Sequence, residues 1–314
     1  MPESIPAAQH PVRVFEAVVA EVRDLSPHFR RITLTGPSLG TFGVPGPTLD
    51  LRIKMLLPTP GHALDLPGAP GGALYAGWYQ DWLRQEQPGR GFIRSYTVRA
   101  LRPSRSGPEV DVDIVLHTGP AEHEGPGSRW ARDAAPGTRV WFVGPDATAL
   151  TPATPLPEAG INWNPGSARH VLLAGDETAV PAITSILEAL PPHLTGHAIL
   201  EVPDPADILP LTTGSGVQVV WVDRGGGSVP RGHRLQAAVE EVASAEGSRP
   251  IEYAWVGAEA GTVKSLRRAL VGSGVNPRTS QFRGYWSIGK AGSGANGVPL
   301  TGLQPQAPAG RTQA

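Results

Sequence analysis

The sequence predicts a two-domain chain, an antiparallel β-barrel followed by a parallel α/β sheet, and three observations carry that prediction. Short β-branched apolar runs occupy residues 11–143, separated by turn-rich connections. The stretch TPATPLPEAGINWNPGSA at 151–168 then shows turn signals and no periodicity. Beyond it strands alternate with helices, an order that needs right-handed crossovers between parallel strands. A length of 314 residues also suits two cores better than one.

Six segments read as barrel strands: VRVFEAVVAEV (12–22), RITLTG (31–36), LDLRIKMLL (49–57), RSYTVRAL (94–101), VDVDIVLH (110–117) and RVWFVG (139–144). Together they predict a six-stranded antiparallel barrel. In VDVDIVLH the alternation sends Val110, Val112 and Ile114 to one face and Asp111 and Asp113 to the other. One helix is expected at about 128–135, after EGPG, and the stretch 58–90 reads as a long loop carrying Trp78, Tyr79 and Trp82.

In the second half the strands HVLLAG, HAILEV, VQVVWVD and EYAWVG alternate with the helical runs TAVPAITSILEAL, RLQAAVEEVASA and GTVKSLRRAL. Ligands of such a sheet sit beyond the carboxyl ends of its strands, where GDET, EVPD, VDRGGG and VGAEA fall. The expected boundaries are a flexible N-terminal tail (1–10), a barrel domain (11–150), a linker (151–168), an α/β domain (169–289) and a disordered tail (290–314).

Composition narrows the chemistry. With 27 basic against 28 acidic side chains, the balanced charge predicts neither a nucleic-acid nor a membrane partner. No run reaches the roughly 20 apolar residues of a membrane span, and the start MPESIPAAQHP lacks the pattern of a secretion signal, so a cytoplasmic location is expected. The absence of cysteine removes disulfides, thiolate metal sites and a thiol nucleophile. Redox chemistry here would need a borrowed cofactor.

Three constellations could carry chemistry. In RSYTVR, Tyr96 offers a stacking face, Thr97 a hydrogen-bonding rim and Arg94 a phosphate partner. In HTGPAEHEGPGSRWA a strand end meets a glycine-rich loop and a helix start with Ser128 as cap, which suits a diphosphate. His117 and His123 lack a third ligand, so no metal site is expected. In LLAGDETAVPAI a strand turns into a helix through Gly175, Asp176, Glu177 and Thr178, without a GxGxxG fingerprint. Read singly, each also has a plain structural explanation: a barrel strand, a helix cap, a tight turn.

Their order is more specific. RSYTVR, VLH with GPGSRWA, GDETAVPAI, EVPDPADILPL, VVWVDR, WVGAEAGTVKSLRRAL and FRGYWSIG together resemble the siderophore-interacting protein family of flavin reductases, collinearly from about 12 to 289. The resemblance implies a ferredoxin-reductase-like fold, an FAD-binding barrel before a nicotinamide-binding α/β domain. It implies flavin contacts at Arg94, Ser95, Tyr96 and Thr97, and an adenine and diphosphate segment at His117, Gly127, Ser128 and Trp130. It also implies that Asp176, Glu177, Thr178, Glu201, Arg224, Gly257 and Glu259, with Tyr285 and Trp286 of the terminal GYW, line the flavin–nicotinamide side.

For substrate, the resemblance implies Lys54 at a basic pocket, with Arg283 and Lys290 as weaker candidates. Lys54 shares a strand face with Arg52, opposite Leu51, Ile53 and Met55, and is expected to be an exposed ammonium. Ser287 stands where the family's GYWRxG has arginine, and 58–90 is longer than usual. The implied activity is electron transfer from NADPH or NADH through FAD to a ferric siderophore, releasing its iron as Fe(II), and a monomer is expected. Two alternatives stay open: a general flavin or ferric reductase with another acceptor, and a siderophore-binding flavoprotein reduced by a separate partner. Arg224 could hold a 2′-phosphate and Glu201 could favour a bare ribose, so the coenzyme stays open as well.

Overall fold

The computed structural model describes residues 11–69, 71–75, 77–105, 107–117, 125–245 and 249–288. The expected tails at 1–10 and 290–314 lie outside them. Seven strands rather than six form the first sheet: β1 (Val12–Asp24), β2 (Phe29–Thr35), β3 (Arg52–Leu57), β4 (Phe92–Thr97), β5 (Ala100–Ser104), β6 (Gly107–Val115) and β7 (Arg139–Pro145). The sheet is antiparallel, in the order β4-β3-β7-β1-β2-β6-β5.

The seventh strand arises because RSYTVRAL is two strands. Thr97 ends β4, which pairs with β3, and Ala100 begins β5, which pairs with β6. Between them the Val98 N–H donates to the Leu51 carbonyl and the Arg99 N–H to the Asp111 carbonyl, each at 2.8 Å. One segment therefore touches both edges of the sheet and curls it into a barrel.

The alternation read in β6 is realised. Val110, Val112 and Ile114 join Ile32, Leu34, Ile53 and Met55 in the core, beside Phe15, Phe42 and Phe142 with ring centroids 5.1 to 5.5 Å apart. On the other face Arg31 grips Asp113 at 2.6 and 2.8 Å, while Thr33 and Arg102 hold Asp111. These partners offset the cost of burying two carboxylates.

The 58–90 stretch holds a helix, α1 (Trp78–Arg84), which the sequence reading treated as loop. It covers the outer face of β3, β7 and β1, burying Trp78, Tyr79 and Trp82 against Val12, Val14, Leu56 and Val143. The next helix, α2 (Pro126–Asp133), begins two residues before the expected start.

The second sheet has five parallel strands: β8 (His170–Gly175), β9 (Thr195–Val202), β10 (Gly216–Asp223), β11 (Tyr253–Glu259) and β12 (Gln281–Trp286). Their order is β10-β9-β8-β11-β12, with helices α3 (Val180–Ala189), α4 (His233–Ser244) and α5 (Ala260–Gly272) as crossovers. The sequence reading had only four strands. The fifth, QFRGYW, is a half-buried edge strand without the continuous apolar run of a central parallel strand.

Residues 151–168 contain no strand or helix, yet they are anchored. Ile161 and Trp163 are buried, and Asp50 of the barrel accepts the N–H groups of Asn162 and Trp163 and the indole N–H of Trp255 on β11, each at 3.0 Å. Asp207, after β9, accepts from Ser26 Oγ, the His28 N–H and His28 Nδ1 at 2.6, 3.0 and 2.7 Å. Among the described residues no helix is long and apolar enough to cross a membrane.

Candidate functional site

In the second sheet the crossovers through α3 lead from β8 to one side, and β11 and β12 lie on the other, so the topology switches between β8 and β11. Such a switch opens a crevice at the carboxyl ends of the strands. Gly175 ends β8 there, and a Cβ on it would stand 2.8 Å from the Gly257 carbonyl oxygen and 2.5 Å from the Ala179 side chain. Glycine is what lets the two strand ends meet.

Asp176 bridges this crevice from beneath. Its carboxylate accepts the Thr178 N–H and hydroxyl, the Glu259 N–H at 2.8 Å and the Trp286 indole N–H at 2.9 Å. Burial raises its carboxyl to about 6, with the neighbouring Glu177 adding to the rise. Trp286 is gripped from a second side by Arg231, whose guanidinium lies 4.7 Å from its ring centroid, and His117 of the barrel lies 6.5 Å away. Desolvation by the surrounding protein lowers the His117 pKa from its ordinary value, with Glu177 opposing the shift. Trp286 is thus one of the points where the two domains meet.

Behind it lies a buried ion network. Glu177 accepts both Arg224 Nη1 and Nη2, at 2.8 and 3.1 Å, and pairs with Arg231 at 2.8 Å. Arg224 also bonds Glu201, whose carboxylate accepts the Gly232 and Leu235 N–H groups at the start of α4. Arg224 could have held a 2′-phosphate and Glu201 a bare ribose hydroxyl. Here both are interior scaffold with their charges committed to each other, because an unpaired ion at this depth would cost several kcal/mol. Glu259 likewise caps α5 through the Gly261 and Thr262 N–H groups and accepts the Ile288 N–H.

The barrel side presents a different chemistry. Arg94 on β4 makes one bond, to the Ile93 carbonyl of its own strand, and has no carboxylate partner among the described residues. Burial depresses its pKa, the signature of a desolvated cation without a counterion. Tyr96 is half-buried, its hydroxyl pushed up to about 12 by desolvation, and faces the first turn of α2 so closely that a Cβ on Gly127 would stand 1.9 Å from its oxygen. The cap of α2 is Gly125, with Pro126 following. Ser128, expected to be that cap, instead accepts the His117 N–H at 3.1 Å and ties β6 to the helix. Trp130 packs on the barrel core, Ser95 is exposed, and buried Thr97 interacts with Tyr285 of β12. An unpaired arginine beside a helix start without a side-chain cap fits a diphosphate, so these residues suit FAD.

Lys54 is not the exposed ammonium expected. It is 1% exposed, roofed by α1 with Nζ 4.6 Å from the Tyr79 ring centroid. Burial, with a smaller contribution from Arg52, lowers its pKa to about 7. The strand alternation correctly set Lys54 opposite Ile53 and Met55, but the second face of β3 is covered too. Arg52 shares that face, with a buried Nε lacking a partner among the described residues, and it interacts with Arg283 of β12. Arg283 donates to Asn162 Oδ1 at 2.8 Å. The structure thus gathers Arg52, Lys54 and Arg283, of which the sequence reading had not named Arg52 as a site residue. Its shared strand face with Lys54 was the available signal. Lys290 lies outside the described residues.

A barrel with a diphosphate-suited edge strand, joined to a parallel sheet with a switch point, defines a ferredoxin-reductase-like fold. The ferredoxin reductase of carbazole 1,9a-dioxygenase matches over 88% of this chain with a TM-score of 0.53 at 17% identity, a likeness of fold alone. Residues 18–149 match the siderophore-interacting FAD-binding domain and residues 168–289 the siderophore-interacting protein model. The chain belongs to the siderophore-interacting protein family. It is 32% identical over 290 residues to an uncharacterized protein of Mycobacterium tuberculosis, covering 90% of this chain and 93% of that one. It is 29% identical over 283 residues to the ferric vibriobactin reductase ViuB of Vibrio cholerae, covering 88% and 92%. A siderophore utilization protein from T. fusca superposes with a TM-score of 0.68 at 28% identity, over 90% of this chain and 95% of that one.

Proposed function

We propose that this protein is an FAD-dependent reductase that takes electrons from NADPH or NADH and delivers them to a ferric siderophore in the cytoplasm, releasing Fe(II). FAD supplies the exchange of a two-electron donor for one-electron acceptors. Arg94 and the start of α2 would hold its diphosphate, with Tyr96 and Thr97 beside it. Asp176 and Arg231 orient Trp286 at the crevice where the nicotinamide coenzyme would enter. The observation that carries the substrate reading is the basic set of Arg52, Lys54 and Arg283, which suits an anionic chelate and on which Asp50 and the Tyr285 hydroxyl act from nearby. Lys54 is 1% exposed beneath α1, so it would act through space on an anion held at the half-buried Arg52 and Arg283, and that anion would favour its ammonium form.

The test is anaerobic turnover of the FAD-loaded protein with each coenzyme and a ferric siderophore, trapping Fe(II) with a chromogenic chelator. Coenzyme-dependent Fe(II) release is expected. Coenzyme oxidation without Fe(II) from any siderophore would assign another acceptor, and no coenzyme oxidation would assign a separate reductant.

A further inference from the structure

The chain is nearly neutral as a whole, but its last acidic residue is Glu259. Beyond it lie Lys264, Arg267, Arg268, Arg278, Arg283, Lys290 and Arg311, seven of the 27 basic residues and none of the 28 acidic ones. Balanced totals had predicted no attraction to a charged surface. The imbalance is regional, and the fold turns part of it into a continuous face.

Helix α5 buries Val263, Leu266 and Leu270 against the sheet and therefore turns Lys264, Arg267, Arg268 and Val271 outward as one ridge. Arg267 lies over the Phe282 ring at 5.9 Å, which joins the ridge to β12, the edge strand of the sheet. Arg278 is exposed in the turn between α5 and β12. None of Lys264, Arg267, Arg268 or Arg278 has an acidic partner among the described residues. Two apolar side chains stand in the same C-terminal region, Val271 at 38% and Ile288 at 71% exposure.

We propose that the α5–β12 flank docks on an anionic lipid surface. An acidic protein would meet such a patch with a complementary negative one, a case the polyglutamate arm below decides. Along α5 and the turn into β12 the charge is of one sign, with the acids Glu240 and Glu241 exposed only on the neighbouring α4, and such a strip suits a partner whose charge is uniform. A nucleic-acid backbone is uniform too, but exposed Val271 and Ile288 gain nothing against phosphates, whereas at a bilayer interface they gain apolar burial while the cations meet headgroups. The partner is therefore lipid headgroups, and the docking would hold the enzyme at a membrane without any spanning segment.

The test is co-sedimentation of the full FAD-loaded chain with vesicles of phosphatidylcholine alone and of phosphatidylcholine with phosphatidylglycerol, at low and physiological salt. Binding to the anionic vesicles alone, weakened by salt, is expected. Each neutralised cation should cost about fivefold in partition, so Lys264→Gln with Arg268→Gln should lose roughly 25-fold. Both side chains are exposed, and turnover with soluble substrates should not change. Binding that ignores lipid charge, binding unaffected by the double substitution, or binding to duplex DNA or polyglutamate at least as tight as to anionic vesicles would each overturn the proposal.

Discussion

At the scale of single residues, two buried ionisable groups make opposite predictions. Asp176 is neutralised more easily in the folded chain, at about 6 against an ordinary 3.8, so the native state holds the extra proton between those values. Stability is therefore lost as pH rises from about 4 to about 6, by about 3 kcal/mol in all. Asp176→Asn should remove that slope, so urea titrations at the two ends of this window should show the variant gaining on the wild type. Lys54 runs the other way. Its folded value of about 7 lies below the ordinary 10.5, so the native state binds fewer protons between them and stability rises with pH across that range. Its charge also falls as pH rises through about 7, so affinity for an anionic ferric chelate should decline there, and Lys54→Gln should flatten the profile. Arg94→Ala should raise the FAD dissociation constant roughly 10- to 100-fold, since a charge-assisted contact is worth roughly 1.5 to 3 kcal/mol. Fluorescence titration with unchanged affinity would remove Arg94 from the diphosphate site.

At the scale of elements, α1 decides what Lys54 is. Tyr79 stacks on Trp82 with centroids 6.1 Å apart and stands over the amine. Tyr79→Ala should cost about 3 kcal/mol or less in thermal stability and let the Lys54 pKa climb toward its ordinary value. The pH dependence of chelate binding should then shift upward, and an unmoved profile would show that α1 is not what lowers the amine. The strand and helix periodicities that distinguish the two domains were legible because each is a local pattern. α1 was not, since seven residues between glycine-rich turns carry too few apolar repeats to display a helical period. Neither was the break at Val98, because both halves of RSYTVRAL are extended and only their partners differ. Ser128 looked like a cap for a similar reason: the chain begins its helix two residues earlier, at a proline.

At the scale of the whole molecule, the contacts that join the domains were invisible in the sequence. Trp255 and Asp50 are 205 positions apart, and nothing local marks either as the other's partner. The same holds for the committed charges of Arg224, Glu177 and Glu201, whose placement at strand ends was legible and whose pairing was not. Asp50→Ala leaves the Asn162 and Trp163 N–H groups and the Trp255 indole without their acceptor. Each buried donor left unpaired costs about 1 to 3 kcal/mol. Calorimetry should show one cooperative transition dividing into two as the barrel and the parallel sheet uncouple, and a single transition merely lowered in temperature would limit Asp50 to a local role.

The join made by Val98 and Arg99 has a consequence for how the barrel can fail. The residues proposed to hold the cofactor, Arg94 to Thr97, lie on the last stave of a hoop whose closing backbone bonds, among the described residues, are those of Val98 and Arg99. Cleaving the chain between Val98 and Arg99, for instance at an inserted protease site, would leave every ladder with its own neighbour and undo the fastening. Circular dichroism would barely register the cut. If Arg94 to Thr97 hold the flavin as proposed, its dissociation constant should rise nonetheless, because that edge would keep only its packing on α2 and lose its backbone closure onto Leu51 and Asp111.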